Sequence, residues 1–182
     1  NWSGLGNCTG DPGGGAIDIY NRSYITVDGQ KTGIIQNTGN GSSLPNQQTS
    51  TGIYVSGDHI LVKNVTVRNI YVNTSAEANS TPGQTTADVR IDNFSTNIEV
   101  CGTTLSNART GIWNSTSAQI MTVGPSSCDG PQAANGNNIH GNLINDHCWQ
   151  IAVNGSGFVN IYNNEITDYA NWYYPAYPNN YH

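Results

Sequence analysis

Two aspartates stand 22 residues apart near the end of the sequence, at Asp146 and Asp168. That separation equals one turn of a repeat that runs through the chain, so the two carboxylates are predicted to share a column, with backbones about 4.8 Å apart. Such a pair raises one pKa and can divide the roles of general acid and general base. Three further candidates lie in the same region: Asp129, His147 and Glu165.

The alternative for this column is structural. Asn69 and Asn107 occupy the same position in earlier turns. Asn and Asp tolerate the backbone of a tight corner and hydrogen-bond to neighbouring main chain there. The sequence favours an Asn/Asp corner ladder over a catalytic pair.

A second acidic group is Asp88, Arg90 and Asp92, which fall on alternate positions of one predicted strand. Alternate residues of a strand share a face, so the two carboxylates are expected side by side. Oxygen ligands in that arrangement suit Ca²⁺, which is the one cofactor that the sequence suggests. A solvated outer face with a charge-compensated arginine is the favoured alternative.

Four cysteines are present, and no Cys-x-x-Cys occurs, so a zinc site has poor support. An even number of cysteines in a polar, acidic chain favours an oxidising, extracellular setting. Cys128 and Cys148 are about one turn apart, within reach of the roughly 7 Å limit between Cα atoms. We predict that these two form a disulfide and that Cys8 and Cys101 pair by default.

Asn-x-Ser/Thr sequons are about twice as frequent as the roughly five expected by chance. They predict a secreted or cell-surface glycoprotein that carries covalent N-glycans. The ten acceptors are Asn1, Asn7, Asn21, Asn40, Asn64, Asn73, Asn79, Asn93, Asn114 and Asn154.

The C-terminal segment, residues 171–182, is unusually aromatic. Exposed aromatic rings stack on sugars or form protein contacts, and the equally supported alternative is a loop packed as a local cap. The candidate sugar-stacking residues are Trp172, Tyr173, Tyr174 and Tyr177.

Charge and composition exclude several classes. Only 10% of the 182 residues are charged, the net charge is −6, and the six basic residues are scattered, which excludes phosphate neutralisation in a nucleic-acid complex. No apolar run approaches the roughly 20 residues of a membrane span, so membrane insertion is not expected. Good helix formers are scarce, which argues against helical bundles.

Short alternating segments recur along the chain, and each is followed by a polar corner. Ile60 and Val62 align with Ile98 and Val100, and with Val159 and Ile161. In a second column Val67 aligns with Leu105 and Ile166, and Ile98 to Ile120 is read as one turn. Such repeats bury their apolar residues only by stacking. The corner position holds Gly29, Asn64, Gly102, Gly124 and Asn163.

The segments 23–29, 59–69 and 158–166 are typical of one known architecture. The chain resembles the right-handed parallel β-helix of the pectate-lyase-like superfamily over residues 14–170. The resemblance implies an all-β, single-stranded solenoid of about six rungs with loop insertions, formed by one domain over 1–182 with an N-terminal segment, 1–13. It also implies, for the polysaccharide lyases of the superfamily, carboxylates that hold calcium and a basic residue that acts on uronates.

Two functions from different classes follow. Neither a capping helix before Gly13 nor a closing element after Asn179 is evident, so copies of the chain are expected to cover the coil ends by head-to-tail stacking. The favoured interpretation is an extracellular, N-glycosylated structural protein of a fibre or surface layer, without enzymatic activity. The alternative is a polysaccharide-degrading enzyme, a lyase or glycoside hydrolase of the superfamily, or a fragment of one.

Overall fold

The computed structural model describes residues 15–38, 51–70, 87–92, 95–106, 108, 110–114, 128, 137–145, 147, 149–153 and 159–168. These residues form strands and corners, and no helix occurs among them. The strands are β1 (Ile17–Gln36), β2 (Thr51–Arg68), β3 (Ala87–Ile91), β4 (Thr96–Cys101), β5 (Thr104–Ser106), β6 (Thr110–Asn114), β7 (Asn137–His140), β8 (Leu143–Asn145), β9 (Trp149–Val153), β10 (Val159–Tyr162) and β11 (Glu165–Thr167).

Every strand pair is parallel, and each strand stacks on its equivalent in the neighbouring turn of the chain. The long strands β1 and β2 bend through three faces, and their pairing shifts register at the bends. Later turns divide the same path into three short strands, so that β3, β6 and β9 form one face and β4, β7 and β10 form the next. The described strands make five turns of a parallel β-helix, which confirms the predicted fold class.

The apolar columns agree with the predicted alignments. Val62 pairs with Val100, Val100 with Ile139, and Ile139 with Ile161. Side chains alternate across each strand, so these residues point into the coil, where burial of aliphatic groups supplies the main stabilising term. On the third face the column consists of Ile35, Val67, Leu105, Ile144 and Ile166.

One predicted turn is wrong. The spacing placed Ile120 one rung beyond Ile98, but β7 stacks directly on β4, so that Val100 meets Ile139. Residue 120 lies outside the described residues. The apolar spacing near Ile120 imitates a rung, whereas the true rung needs 39 positions because a long insertion separates β6 from β7.

The corner between the second and third faces has a left-handed backbone. Its φ angles are +53° at Asn64, +60° at Gly102, +62° at Gly141 and +52° at Asn163. Gly and Asn tolerate this region better than other residues do. The predicted corner column is confirmed for Asn64, Gly102 and Asn163, and Gly141 takes the position that was assigned to Gly124.

A polar ladder runs beside that corner. The Asn142 Oδ1 atom accepts hydrogen bonds from the Thr103 backbone N–H at 3.0 Å and from the Thr103 hydroxyl at 2.8 Å. One turn later, the Asn164 Oδ1 atom accepts from the Asn142 backbone N–H at 3.1 Å. The ladder satisfies buried backbone groups where the chain leaves the sheet, and each bond contributes about 1 kcal/mol. Within the described part of the chain, no helix has the length and apolarity needed to cross a bilayer.

Candidate functional site

The outer side of the second face carries a group of buried polar side chains. Glu99 and Cys101 alternate with the core residue Val100 on β4, and His140 follows the core residue Ile139 on β7. Strand alternation therefore directs Glu99, Cys101 and His140 outward. All three are nevertheless at least 97% buried, so other parts of the chain cover this outer surface.

Glu99 and His140 form a close pair in this group. The Glu99 Oε1 atom lies 2.8 Å from His140 Nε2, and Glu99 Oε2 makes no hydrogen bond with the described residues. The Tyr162 ring stacks on the imidazole with centroids 4.6 Å apart and an interplanar angle of 4°. Burial, together with the charge of Glu99, raises the pKa of Tyr162. The carboxylate and the stacked ring hold the imidazole in one orientation. We call Glu99 and His140 the outer pair.

The disulfide joins Cys101 to Cys128, with Cα atoms 5.9 Å apart. The predicted pairing of Cys128 with Cys148 is therefore wrong, and so is the default pairing of Cys8 with Cys101. The reason is the stacking order: Cys128, which follows β6 in sequence, lies at the end of β4. Lys63 supports this position, because its Nζ atom donates to the Cys128 carbonyl at 3.4 Å.

Cysteine and histidine ligand atoms converge at this point. One atom each of Cys101, Cys128 and His140 lies within 4.8 Å of the other two. Among the described residues, this group is the one set of potential metal ligands that the structure brings together. The sequence provided poor support for a zinc site and did not indicate this group, because the three residues are not close in sequence.

A second carboxylate–histidine pair lies inside the coil. The Asp88 Oδ2 atom is 2.8 Å from His147 Nε2, and His147 Nδ1 is 3.0 Å from Gln150 Oε1. Asp88 and His147 are both fully buried. Asp88 belongs to β3, whereas His147 precedes β9, two turns away. We call these two residues the inner pair.

Gly111 leaves the space in which the side chains of Asp88 and His147 can meet. It lies in the turn between Asp88 and Gln150 in the same column. A Cβ on Gly111 would lie 2.8 Å from Ile144 Cγ2 and 3.4 Å from His147 Cε1. The missing side chain therefore leaves the gap through which His147 reaches across one turn to Asp88.

Burial controls the electrostatics of the inner pair. It raises the pKa of Asp88 to about 7, and the hydrogen bond and charge of His147 oppose that shift. Desolvation disfavours the charged form of a carboxyl group more strongly than one neighbour restores it. A group without solvent access cannot contact a substrate, so the inner pair is a structural element of the coil.

An accessible polar cluster lies at the corner between the first and second faces. The Asp58 Oδ2 atom is 2.6 Å from His59 Nδ1, and Asp58 Oδ1 accepts hydrogen bonds from Thr96 and from Asn97. Burial raises the pKa of Asp58, but these three hydrogen bonds outweigh it, and the net shift is downward. Tyr24 stacks on His59 with centroids 4.8 Å apart and is 78% exposed.

The two carboxylates of the suggested calcium site have different partners. Asp88 bonds His147, whereas Asp92 Oδ2 accepts from the Tyr54 hydroxyl at 2.7 Å and from Arg90 at 3.4 Å. Asp88 turns inward at the start of β3, and Asp92 follows the end of that strand. The described structure brings no common ligand position to the pair.

The suggested catalytic residues are separated in the described part of the chain. Asp168 and Glu165 are exposed on the last turn, whereas His147 is buried in the coil. Asp146 and Asp129 lie outside the described residues, as do the aromatic candidates Trp172, Tyr173, Tyr174 and Tyr177 and the sequons at Asn1, Asn7, Asn40, Asn73, Asn79, Asn93 and Asn154.

Two of the sequon asparagines have described side chains. Asn21 is exposed at a corner of the first turn. Asn64 is half-buried, and its Nδ2 atom donates to Asp28 Oδ1 at 3.3 Å. For Asn114 only the strand position on β6 is described.

Sequence reasoning did not find either carboxylate–histidine pair. Their members are 41 and 59 residues apart, across insertions of unequal length. A signal was present: Glu99 and Cys101 flank a core valine on a strand whose outer side should be exposed, and an acidic residue between apolar neighbours is typical of such an outer side. Only the stacking order identifies which histidines meet them.

The fold and these clusters define an all-β solenoid protein with a disulfide-anchored outer surface. Comparison with known proteins found no matching family model, no similar curated protein and no similar solved structure.

Proposed function

We propose that this protein is an extracellular, N-glycosylated structural subunit that assembles into a fibre by end-to-end stacking of its coil. One observation carries the proposal: five inward columns begin and end with an aliphatic side chain. The end pairs of the five columns are Ile17 and Ile151, Ile19 and Val153, Ile25 and Val159, Val27 and Ile161, and Ile35 and Ile166.

The last turn leaves its apolar column ends open. Val153 is 44% exposed, Ile161 is 46% exposed and Ile166 is 51% exposed. At the opposite end, Ile25 is 36% exposed, whereas Ile19 is 4% exposed. A second copy stacked on β9, β10 and β11 would bury the exposed ends against Ile19, Val27 and Ile35 of that copy.

Hydrogen bonding supports the same contact. Within the described residues β1 pairs with β2 alone, and each strand of the last turn pairs with one neighbour, so two parallel edges are open. Open edges of this kind are templates for pairing with another chain. Because one end meets the opposite end of the next copy, the contact is heterologous, and repetition of it produces a filament.

The glycoprotein part of the proposal is supported by position and by redox chemistry. Asn21 is exposed at a corner of the first turn, where a glycan can extend into solvent. The Cys101–Cys128 disulfide is of a kind that persists in oxidising compartments. We expect an N-glycan at Asn21 rather than at Asn64, because the side-chain amide of Asn64 donates a hydrogen bond to Asp28.

Electron microscopy and light scattering of the purified protein test the proposal, with Ile166→Asp as the variant. A charge at the end of an apolar column should abolish filaments, because the stacked contact would bury an unpaired carboxylate. The matched control is Ile34→Asp, since Ile34 is 54% exposed but alternates with the inward Ile35. Circular dichroism verifies that both variants remain folded.

The expected result is filaments from the wild type and from Ile34→Asp, and single particles from Ile166→Asp. A wild type that stays monomeric at all concentrations contradicts the proposal. Filaments that form equally well from Ile166→Asp contradict end-to-end stacking and indicate lateral association.

Contact with polysaccharide is a second candidate function, favoured by the cluster at Tyr24, His59 and Asp58. An exposed ring beside an ionised carboxylate is a combination that stacks on a sugar and accepts its hydroxyl hydrogens. Under this second candidate function, the protein would be a member of the pectate-lyase-like superfamily and would act as an enzyme on polysaccharide. Binding of neutral and acidic polysaccharides to wild type and Tyr24→Ala, with cleavage assays on wild type and Asp168→Asn, tests both.

A further inference from the structure

Cys101 and His140 are direct partners across the second face. Cys101 ends β4 and His140 ends β7, and the two residues are in register. The disulfide brings Cys128 to the same point from the insertion. Three potential ligand atoms, two sulfurs and one ring nitrogen, therefore converge within 4.8 Å.

This donor set suits a particular class of metal ion. Thiolate and imidazole ligands select zinc and copper(I) over calcium and magnesium. Tetrahedral zinc takes sulfur at about 2.3 Å and nitrogen at about 2.0 Å, which places neighbouring ligand atoms roughly 3.5 Å apart. Ligand atoms that already lie within 4.8 Å need to move by only about an ångström.

The carboxylate of Glu99 prepares the imidazole for metal binding. Its Oε1 atom is 2.8 Å from His140 Nε2, and this contact favours the tautomer with a proton on Nε2 and a lone pair on Nδ1. Metal-ligating histidines commonly donate their second N–H to a carboxylate, which fixes the tautomer and raises the basicity of the ligand. The fully buried Glu99 Oε2 makes no hydrogen bond with the described residues, so a second carboxylate oxygen lies beside the three ligands without a partner of its own.

The corner beside the ligands offers access. Gly102 and Gly141 are exposed, and a Cβ on Gly102 would lie 3.7 Å from Cys128 Sγ. A glycine at this corner therefore leaves the sulfur close to solvent. An ion and a water as fourth ligand can approach from this side.

We propose that Cys101, Cys128 and His140 form a redox-gated metal site that binds a soft ion such as Zn²⁺ or Cu⁺ when the disulfide is reduced. A dithiol reductant gives two electrons and two protons to the S–S bond, which yields two thiols, and becomes a disulfide itself. The ion then displaces one proton from each thiol and binds both thiolates and His140 Nδ1. The disulfide in this structure is the closed form of the site.

Titration of the full chain with Co²⁺ tests the proposal, because thiolate-bound Co²⁺ has a charge-transfer absorption that other ligands do not produce. Cys8→Ser and Cys148→Ser are introduced first, so that only the proposed thiols remain. A phosphine serves as reductant: it takes oxygen from water, becomes its oxide and leaves two thiols. Zn²⁺ competition then measures affinity.

The expected result is one Co²⁺ per reduced chain with the thiolate absorption, and none in the oxidised chain. Cys101→Ser should lose the absorption, and Glu99→Gln should bind Zn²⁺ about 10–100-fold more weakly while retaining both thiolates. Arg68→Gln, an exposed change on another face, is the matched control and should bind as the parent does.

Three results would overturn the site. The first is a reduced, folded chain without the thiolate absorption, and the second is an absorption that survives Cys101→Ser. The third is a reduced chain that unfolds, judged by circular dichroism, and is not restored by Zn²⁺. Metal binding by Glu99→Gln equal to that of the parent would remove Glu99 from the site.

Discussion

The two carboxylate–histidine pairs have the same hydrogen-bond length, 2.8 Å, and fully buried carboxylates, but they differ in position. Asp88 and His147 lie inside the coil, where Gly111 leaves the gap between them. Glu99 and His140 lie outside the sheet, beside the disulfide and the exposed corner at Gly102. The first pair is enclosed by core side chains, whereas the second lies on the outer side of the sheet.

This difference shows that burial alone does not decide what a polar pair does. Both pairs avoid the large cost of an unpaired buried charge. The inner pair has no group beside it that could react or bind a ligand among the described residues, and its role is to fill and connect three turns. The outer pair has two sulfur atoms within reach, so the same hydrogen bond can orient a ligand.

The largest effect is expected from breaking the inner pair. His147→Ala should lower the free energy of unfolding by about 3–5 kcal/mol at pH 8, because it leaves the Asp88 carboxylate without a partner in the core. His140→Ala should cost only about 1–3 kcal/mol, since removal of the imidazole beside the exposed Gly141 would let water reach the otherwise buried Glu99. Denaturant unfolding of both variants measures the difference.

The double variant Asp88→Asn/His147→Ala is the control for that measurement. It removes the charge together with its partner, so most of the loss should be recovered. Equal losses in His147→Ala and His140→Ala would show that the two pairs share one environment, contrary to the comparison.

A smaller effect is expected from closing the gap at Gly111. In Gly111→Ala the new methyl group would lie 2.5 Å from the Gln150 carbonyl oxygen and 2.8 Å from Ile144 Cγ2, so the last turn must shift. Overpacking of this kind costs about 1–3 kcal/mol. Gly141→Asn is the matched control at the outer corner, where the column already holds Asn64 and Asn163, and it should change stability by less than about 0.5 kcal/mol. Thermal unfolding followed by circular dichroism compares the two.

The inner pair should also make stability depend on pH. The pKa of Asp88 is raised from 3.8 to about 7 in the folded chain, so the folded state holds a proton that the unfolded state has lost between these values. Stability due to this group is therefore greatest below about pH 4, decreases as the pH rises towards 7 and levels off above that value. Asp88→Asn should remove this decrease.

Melting temperatures at pH 5 and pH 8 measure that slope, and Asp58→Asn serves as comparison. The pKa of Asp58 is lowered, so its stabilising contribution persists above pH 4 and is lost only in stronger acid. A wild-type slope between pH 5 and 8 that Asp88→Asn leaves intact would assign the dependence to another group.

The predicted alignments were accurate where they rested on residue type at equivalent positions rather than on a fixed spacing. Val62, Val100 and Ile161 share a column, and Asn64, Gly102 and Asn163 share a corner, as their residue types indicated. The error at Ile120 arose because an insertion with apolar alternation imitates a rung. The alternation of apolar and polar residues within a segment does not indicate which strands pair by hydrogen bonds.

The candidate site was likewise predictable only in part. A disulfide was predictable in kind, but Cys101–Cys128 replaces the predicted Cys128–Cys148 pairing. Residue spacing estimates how many turns separate two cysteines only if every turn has the same length. The insertion before β7 makes one turn longer than the others, so the sequence separation of two cysteines no longer predicts how many turns lie between them.

The sequence by itself determined the architecture of this protein. Alternating aliphatic residues with a polar Asn or Gly at each corner cannot form a buried core within one turn, and stacking is the arrangement that buries them. Only the tertiary structure decided which turns are neighbours and therefore which carboxylate meets which histidine. The physical reason is that apolar columns are interchangeable in their energetics, whereas a hydrogen-bonded pair or a disulfide depends on one particular register.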